Sequence, residues 1–135
     1  MTTAALRKSM PIGTVQQQIG RIQAGLSFGA VRRLQNALGL SLEQIAAFLG
    51  MSRATLHRRK AQGKIARTES EKLVRYQQLL EKAINVFGNA EAAREWLTQR
   101  QPGLGNAKPV EFARTEIGAR EVENLLGRIE YGVYS

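Results

Sequence analysis

The sequence contains no cysteine, no aspartate and a single histidine, His57. The absence of cysteine excludes disulfide bonds, thiolate metal sites and cysteine nucleophiles. The sequence also has no aspartate, and its one histidine lies in a basic stretch. It therefore lacks the side chains from which catalytic and metal-binding sites are usually built. We therefore predict no catalytic residue, no metal and no cofactor. A pair of glutamates is the one acid-base arrangement left open, although most glutamates after residue 70 have the spacing of exposed helix faces.

Long apolar segments are also missing. No run approaches the roughly 20 residues that a helix needs to cross a bilayer. The N-terminal sequence MTTAALRKSMPIG lacks the apolar centre of a secretory signal. These absences predict a cytoplasmic protein with no membrane partner. Residues 1–13 mix small and polar types with Pro11 and Gly13, which predicts a flexible arm.

Positive charge is in excess and is placed unevenly. Residues 1–70 contain 11 Lys and Arg but only 2 Glu, whereas residues 71–135 contain 9 of each kind. The net charge of +9 therefore lies entirely in the first half. A basic surface that only favours solubility would not explain why the second half is balanced. The distribution favours a nucleic-acid partner for the first half.

Residues 41–64, SLEQIAAFLGMSRATLHRRKAQGK, have the pattern of two short helices joined by a tight turn. Apolar residues recur on one helical face of the first part, and Ser41 is a suitable N-cap. Gly50 permits the left-handed conformation at a helix end, and Ser52 can cap a second helix with Leu56 inward. This predicts a helix-turn-helix whose second, recognition helix enters the DNA major groove. An ordinary helical hairpin with a solvated basic face is the competing interpretation.

The recognition helix departs from the usual pattern at Arg59, where many such motifs have an apolar residue. We expect Ile65 to close the core instead. Most of the basic side chains should point outward, and together they are enough to neutralise several phosphates. Six cations fall within 15 residues: Arg53, Arg58, Arg59, Lys60, Lys64 and Arg67.

The apolar periodicity elsewhere predicts further helices and no strand, so we predict an all-α fold. An N-terminal helix-turn-helix domain over residues 14–67 would be followed by a small helical domain over residues 68–135. A weak helix after Thr14 and another over residues 27–38, which Ser27 can cap, would form a platform for the helix-turn-helix.

The second half is predicted to begin with a long helix, for which Thr68 and Glu71 have the spacing of a capping box. Its apolar stripe is expected to be core, or a seam with a second copy of the chain. Asn89 and Thr115 are suitable caps for two later helices, and Trp96 is expected to anchor the core. The stripe consists of Leu73, Tyr76, Leu80, Ile84 and Phe87.

The last five residues, YGVYS, are rich in aromatic side chains for a terminus. Two interpretations remain open. The segment either folds back and covers the core, or it inserts into a cavity of another protein.

Two segments together resemble the Xre/ParS-type antitoxins of RES-Xre toxin-antitoxin systems. They are LSLEQIAAFLGMSRATLHRRKAQGKI and FGNAEAAREWLTQRQPGLGNAKPVEFARTEIGAREVENLLGRIEYGVYS, and the resemblance covers roughly residues 20–135. It implies a first domain that binds operator DNA and represses its own operon. It also implies a second domain that binds and neutralises a RES-domain toxin, an enzyme that degrades NAD. We expect the same domain to oligomerise.

The resemblance, with the outward positions of the basic helix, assigns site residues. The DNA-binding residues are Ser52, Arg53, Ala54, Thr55, His57, Arg58, Arg59 and Lys60. The toxin-binding residues are Arg128, Glu130, Tyr131, Gly132, Val133, Tyr134 and Ser135.

A homodimer is expected, because helix-turn-helix repressors commonly place two recognition helices in half-sites about 34 Å apart. The alternative function is a stand-alone dimeric helix-turn-helix transcription regulator whose C-terminal domain senses a ligand.

Overall fold

Six of the α-helices begin after an N-cap residue whose side chain accepts a hydrogen bond from the first turn. A computed structural model describes residues 14–132 and contains, within them, eight α-helices and one 3₁₀ turn. The α-helices are α1 Val15–Ala24, α2 Phe28–Leu38, α3 Leu42–Phe48, α4 Arg53–Gln62, α5 Arg67–Phe87, α6 Ala90–Thr98, α7 Pro109–Phe112 and α8 Glu116–Glu130; the 3₁₀ turn is Pro102–Leu104. No β-strand occurs among the described residues, apart from two isolated bridges. The all-α prediction is confirmed.

Five of the predicted N-caps are confirmed. Each side chain accepts a hydrogen bond from the N–H three residues further on, which satisfies a donor that the helix leaves free. These caps are Ser27, Ser41, Ser52, Asn89 and Thr115.

The predicted capping box of Thr68 and Glu71 is wrong. Helix α5 begins at Arg67, and the N–H of its N-cap, Ala66, donates to Oε1 of Glu69 at 2.8 Å. Glu69 occupies this position because the same carboxylate also binds Arg59 of α4. The start of α5 is therefore set by the local pair of Ala66 and Glu69 together with the contact of Glu69 with α4.

Helix α5 is the central element of the fold. It packs against α1, α2, α6 and α8. Its stripe is core: Leu73 and Tyr76 are buried, as are Leu80 and Ile84. Phe87, at the end of the stripe, is partly buried and lies 5.5 Å from the Trp96 ring, so this tryptophan packs at the edge of the core.

The expected platform of two helices is wrong for α1. Helix α2 packs on α3 and buries five side chains, but α1 lies on α5 and buries none. Val15 is 71% exposed and Ile19 is 49% exposed. The apolar stripe of α1 is short and Gly20 interrupts it, so it offers little surface to bury.

The two halves of the chain meet at the end of α3. Arg114, between α7 and α8, donates to the Ala47 carbonyl at 3.3 Å, and its guanidinium lies 5.8 Å from the Phe48 ring centroid. Phe48 stacks on Tyr76 at 5.4 Å, and the Tyr76 hydroxyl donates to the Val110 carbonyl at 2.9 Å. Burial raises the pKa of the Tyr76 phenol above its usual range. One hydrophobic core consequently runs through both halves.

Across residues 14–132, none of the helices combines the length and the hydropathy that crossing a bilayer requires.

Candidate functional site

The turn between α3 and α4 has the predicted geometry. Gly50 adopts φ +79°, a conformation that disfavours side chains, and the Met51 N–H donates to the Ala46 carbonyl at 2.8 Å. Ile45 of the first helix, Met51 of the turn and Leu56 of the second helix are all buried, so both helices bury their inner faces. The helix-turn-helix prediction is confirmed by this geometry.

The outer face of α4 carries most of the predicted DNA-binding side chains. Ser52 caps the helix by accepting from the Thr55 N–H at 3.1 Å, and Arg58 lies one turn further on, 3.5 Å from the Thr55 hydroxyl. Thr55 is half-buried. The fully exposed members of the set are Ser52, Arg53, Ala54, His57, Arg58 and Lys60. Seven of the eight predicted residues thus lie at the N-terminal end of α4 or on its solvent-facing side.

Arg59 is the exception, and its expected outward orientation is wrong. Its Nε lies 2.8 Å from Oε1 of Glu69, and its Nη2 donates to Oε2 at 3.3 Å. The hydrogen bond with Glu69 raises the pKa of Arg59, against the effect of burial. Ile65 is 2% exposed and closes the core, as predicted. Arg59 therefore fixes α4 against α5, and the paired charges replace the usual apolar contact.

The Glu69 carboxylate has two partners, so its removal should weaken the fold. We expect Glu69→Ala to lower the free energy of unfolding by about 2 kcal/mol, because Arg59 and the Ala66 N–H both lose a charged acceptor in a partly buried setting. Glu69→Gln keeps an acceptor for Ala66 and should lose about half as much. Urea unfolding of the three proteins measures these differences. A Glu69→Ala protein as stable as the wild type would contradict a stabilising role for the pair.

The charges around α4 are not balanced locally. Glu43 and Glu69 are the only acids in residues 1–70, and Glu69 is already paired with Arg59. In the part of the chain that the structure describes, no carboxylate pairs with Arg53, Arg58 or Lys60. This helix face therefore presents uncompensated positive charge to solvent, which favours an anionic partner.

The end of α8 forms a second exposed region. Arg128 and Glu130 are exposed, Tyr131 is 79% exposed, and Gly132 adopts φ +70°. The interpretation that the terminal segment covers the core is therefore wrong for Tyr131. The remaining predicted residues, Val133, Tyr134 and Ser135, lie outside the described residues.

Tyr131 borders a shallow groove of about 380 Å³ between α5 and α8. Lys82 and Asn124 line this groove and were not among the predicted site residues. The position of Asn124 follows from helical spacing, since it lies two turns before Tyr131 along α8, whereas Lys82 is on α5 and no local spacing indicates it. The full lining is Lys82, Glu123, Asn124, Gly127, Arg128 and Tyr131.

A tight helix-turn-helix with an exposed cationic second helix, packed on a further helical unit, defines a DNA-binding protein of the helix-turn-helix class. Comparisons with known families define both units. Residues 17–77 match the model of the Antitoxin Xre-like helix-turn-helix domain, and residues 82–132 match that of the Antitoxin Xre/MbcA/ParS C-terminal toxin-binding domain.

Two relatives match along most of the chain, across both units. An "Antitoxin Xre" from Yersinia enterocolitica is 30% identical over 119 residues, which is 87% of this chain and 80% of the relative. Another "Antitoxin Xre", from Photorhabdus laumondii, is 31% identical over 116 residues, which is 84% of this chain and 78% of the relative. The chain belongs to the Xre antitoxin family, and its two domains imply DNA and a toxin as partners.

Proposed function

We propose that this chain is the antitoxin of a RES-Xre pair, acting in the cytoplasm as a homodimer. It neutralises a RES-domain toxin that degrades NAD, and it represses its own operon. Residues 14–67 bind operator DNA, and residues 68–135 bind the toxin and oligomerise. The observation that carries this proposal is the presence of two separate exposed regions in one chain, the cationic face of α4 and the end of α8.

The DNA-binding role rests on the unpaired face of α4. Ser52, Arg53, Ala54 and Thr55 lie at its N-terminal end, the end that contacts base edges in helix-turn-helix complexes. His57, Arg58 and Lys60 follow on the exposed side and are suited to bases or phosphates. Arg59 acts differently, since its ion pair with Glu69 holds the helix in place. We assign it a positioning role.

The dimer follows from the size of this face. Helix α4 has 10 residues and three exposed unpaired cations, Arg53, Arg58 and Lys60. One such helix reads only a few base pairs, whereas two copies in neighbouring half-sites double the base and phosphate contacts. Two chains would therefore bind an operator more tightly than one, which supports a homodimer.

The toxin-binding role rests on the exposed end of α8. An aromatic side chain that is 79% exposed gains most by entering a partner's cavity, where its area leaves water and its hydroxyl finds a hydrogen bond. Arg128 and Glu130 flank it and supply charged contacts at the rim. Gly132, Val133, Tyr134 and Ser135 follow Tyr131 in the sequence, and we include them in the proposed contact.

The ligand-sensor alternative receives less support. A groove of about 580 Å³ lies between α5 and α8, but charged side chains from both helices line it, among them Lys72, Arg75 and Glu116. Small-molecule sites are usually lined by apolar side chains with a few polar groups. Membership of an antitoxin family also favours a protein partner.

Tyr131 tests the toxin contact. We expect Tyr131→Ala to weaken toxin binding about 30-fold, equivalent to about 2 kcal/mol for one aromatic hot spot. Ile117→Ala is the matched control, because Ile117 is 80% exposed at the other end of the same helix. Binding is measured by titrating the toxin encoded beside this chain with each variant, and toxicity by the cellular NAD content. Equal affinities for Tyr131→Ala and wild type would refute the contact, and a toxin that leaves NAD unchanged would refute the RES assignment.

A further inference from the structure

Three cations outside the recognition helix converge at the start of α2. Two short backbone segments meet there: the Phe28 N–H donates to the Gly63 carbonyl and the Ile65 N–H donates to the Leu26 carbonyl, each at 2.9 Å. This pairing places the loop after α4 against the first turn of α2. Lys64 is in the centre of that loop and is bridged to Ser27.

The side chains of Arg32 and Arg33 turn back toward the same place. The Arg32 guanidinium lies 5.3 Å from the Phe28 ring centroid. Nη1 of Arg33 lies 3.6 Å from the position that a Cβ on Gly29 would occupy. Cε of Lys64 comes within 3.9 Å of the corresponding position on Gly25. Each of the three side chains therefore contacts or approaches one residue of the segment 25–29, and we call the three the α2 cluster.

No acid compensates the α2 cluster. Arg32, Arg33 and Lys64 are exposed, and within the described residues none of them pairs with a carboxylate. Three like charges gathered in this way repel one another. An anion with several charges at close spacing would relieve that repulsion, whereas water and salt only screen it.

The α2 cluster lies beside the C-terminal end of α4. A helix of 10 residues is about 15 Å long. The major groove is about 8.5 Å deep. When the N-terminal residues of α4 contact base edges, the other end of the helix reaches the level of the phosphates. Lys64, two residues beyond that end, then brings the α2 cluster to the sugar-phosphate backbone.

We propose that the α2 cluster, Arg32, Arg33 and Lys64, binds the phosphates of duplex DNA next to the groove that α4 enters. This rests on the proposed DNA-binding function and extends it to a second surface. Guanidinium and ammonium groups contact phosphates without reading the sequence. The α2 cluster therefore adds affinity and salt dependence for any duplex, while α4 supplies the preference for the operator.

The triple variant Arg32→Gln, Arg33→Gln, Lys64→Gln tests this in the full-length protein. The probes are a duplex from the region upstream of the chain's own gene and a 30-base-pair duplex of mixed sequence, each titrated at several salt concentrations. A dimer loses six cations in the triple variant, so we expect both affinities to fall by at least about 10- to 100-fold and the slope of log K against log salt to become shallower by about 5. The ratio between the two probes should stay the same. Lys64→Gln alone should change the slope by about 2, one for each chain of the dimer.

The matched control is Arg100→Gln, Lys108→Gln, Arg120→Gln, which removes the same charge from exposed positions in the second half. It should leave the slope unchanged, and thermal unfolding followed by circular dichroism should show all proteins folded. A triple variant with wild-type slopes, a control with the same loss, or a collapse of the ratio between probes would overturn the α2 cluster's role. Wild-type protein that binds neither duplex would overturn the proposed DNA-binding function itself.

Discussion

Replacing Arg53 and Arg58 together by Ala should abolish operator recognition while the protein stays folded. Both side chains are exposed, and Arg58 makes a long hydrogen bond of 3.5 Å to the Thr55 hydroxyl. A good base contact is worth about 1 to 3 kcal/mol. A dimer loses four such side chains, so we expect operator affinity to fall about 1000-fold. Titration of a labelled operator duplex measures this loss.

The control for this experiment is Arg100→Ala with Arg120→Ala, which removes the same charge from the second half. That pair should reduce DNA affinity only slightly and should leave the preference for the operator unchanged. Equal losses for the two pairs would mean that net charge, and not the α4 face, determines binding. Toxin binding should remain at the wild-type level in both double variants, and its loss in the Arg53 and Arg58 variant would indicate misfolding.

Among the glycines of the second half, Gly118 should be the one whose replacement by Ala lowers the stability of the protein most. A Cβ at Gly118 would lie 1.8 Å from the Phe112 carbonyl oxygen and 3.0 Å from Oγ1 of Thr115. The first of these atoms belongs to the backbone, so a rotamer change cannot relieve the overlap. The corner between α7 and α8 has to open, and we expect a loss of about 4 kcal/mol, the upper range for overpacking combined with a damaged cap.

Gly127→Ala provides the comparison on the same helix. Nothing lies within 4 Å of a Cβ at Gly127, so this change should stabilise α8 by about 0.5 to 1 kcal/mol through helix propensity alone. Guanidinium unfolding of the two variants should therefore shift the midpoint in opposite directions. Similar midpoints for both would contradict the close packing of the α7–α8 corner.

The sequence was sufficient to predict features that depend on neighbouring residues. Ser41, Gly50 and Ser52 define the helix-turn-helix within one short segment, and the stripe of α5 follows from regular apolar spacing. The caps at Asn89 and Thr115 were predictable for the same reason. Each of these features depends on intervals of three or four residues.

Features that join distant residues were not predictable in this way. Arg59 reads as one more outward cation until α5 brings Glu69 to it. Arg114 is 67 residues from Ala47, and no periodicity indicates their contact. Gly118 carries no signal in the sequence, because its requirement comes from the passing backbone of Phe112. The exposure of α1 was missed because a weak amphipathic pattern does not show whether a neighbouring surface is available.

The position of Arg114 and Tyr76 has a consequence for how such proteins can recombine. Phe48 belongs to the unit that contains the recognition helix, yet its stacking partner is on α5 and its cationic partner lies just before α8. A chimera that exchanges the first half between two relatives must therefore bring matching residues at all three positions. A chimera that exchanges only the first half would separate Phe48 from its own partners, Tyr76 and Arg114.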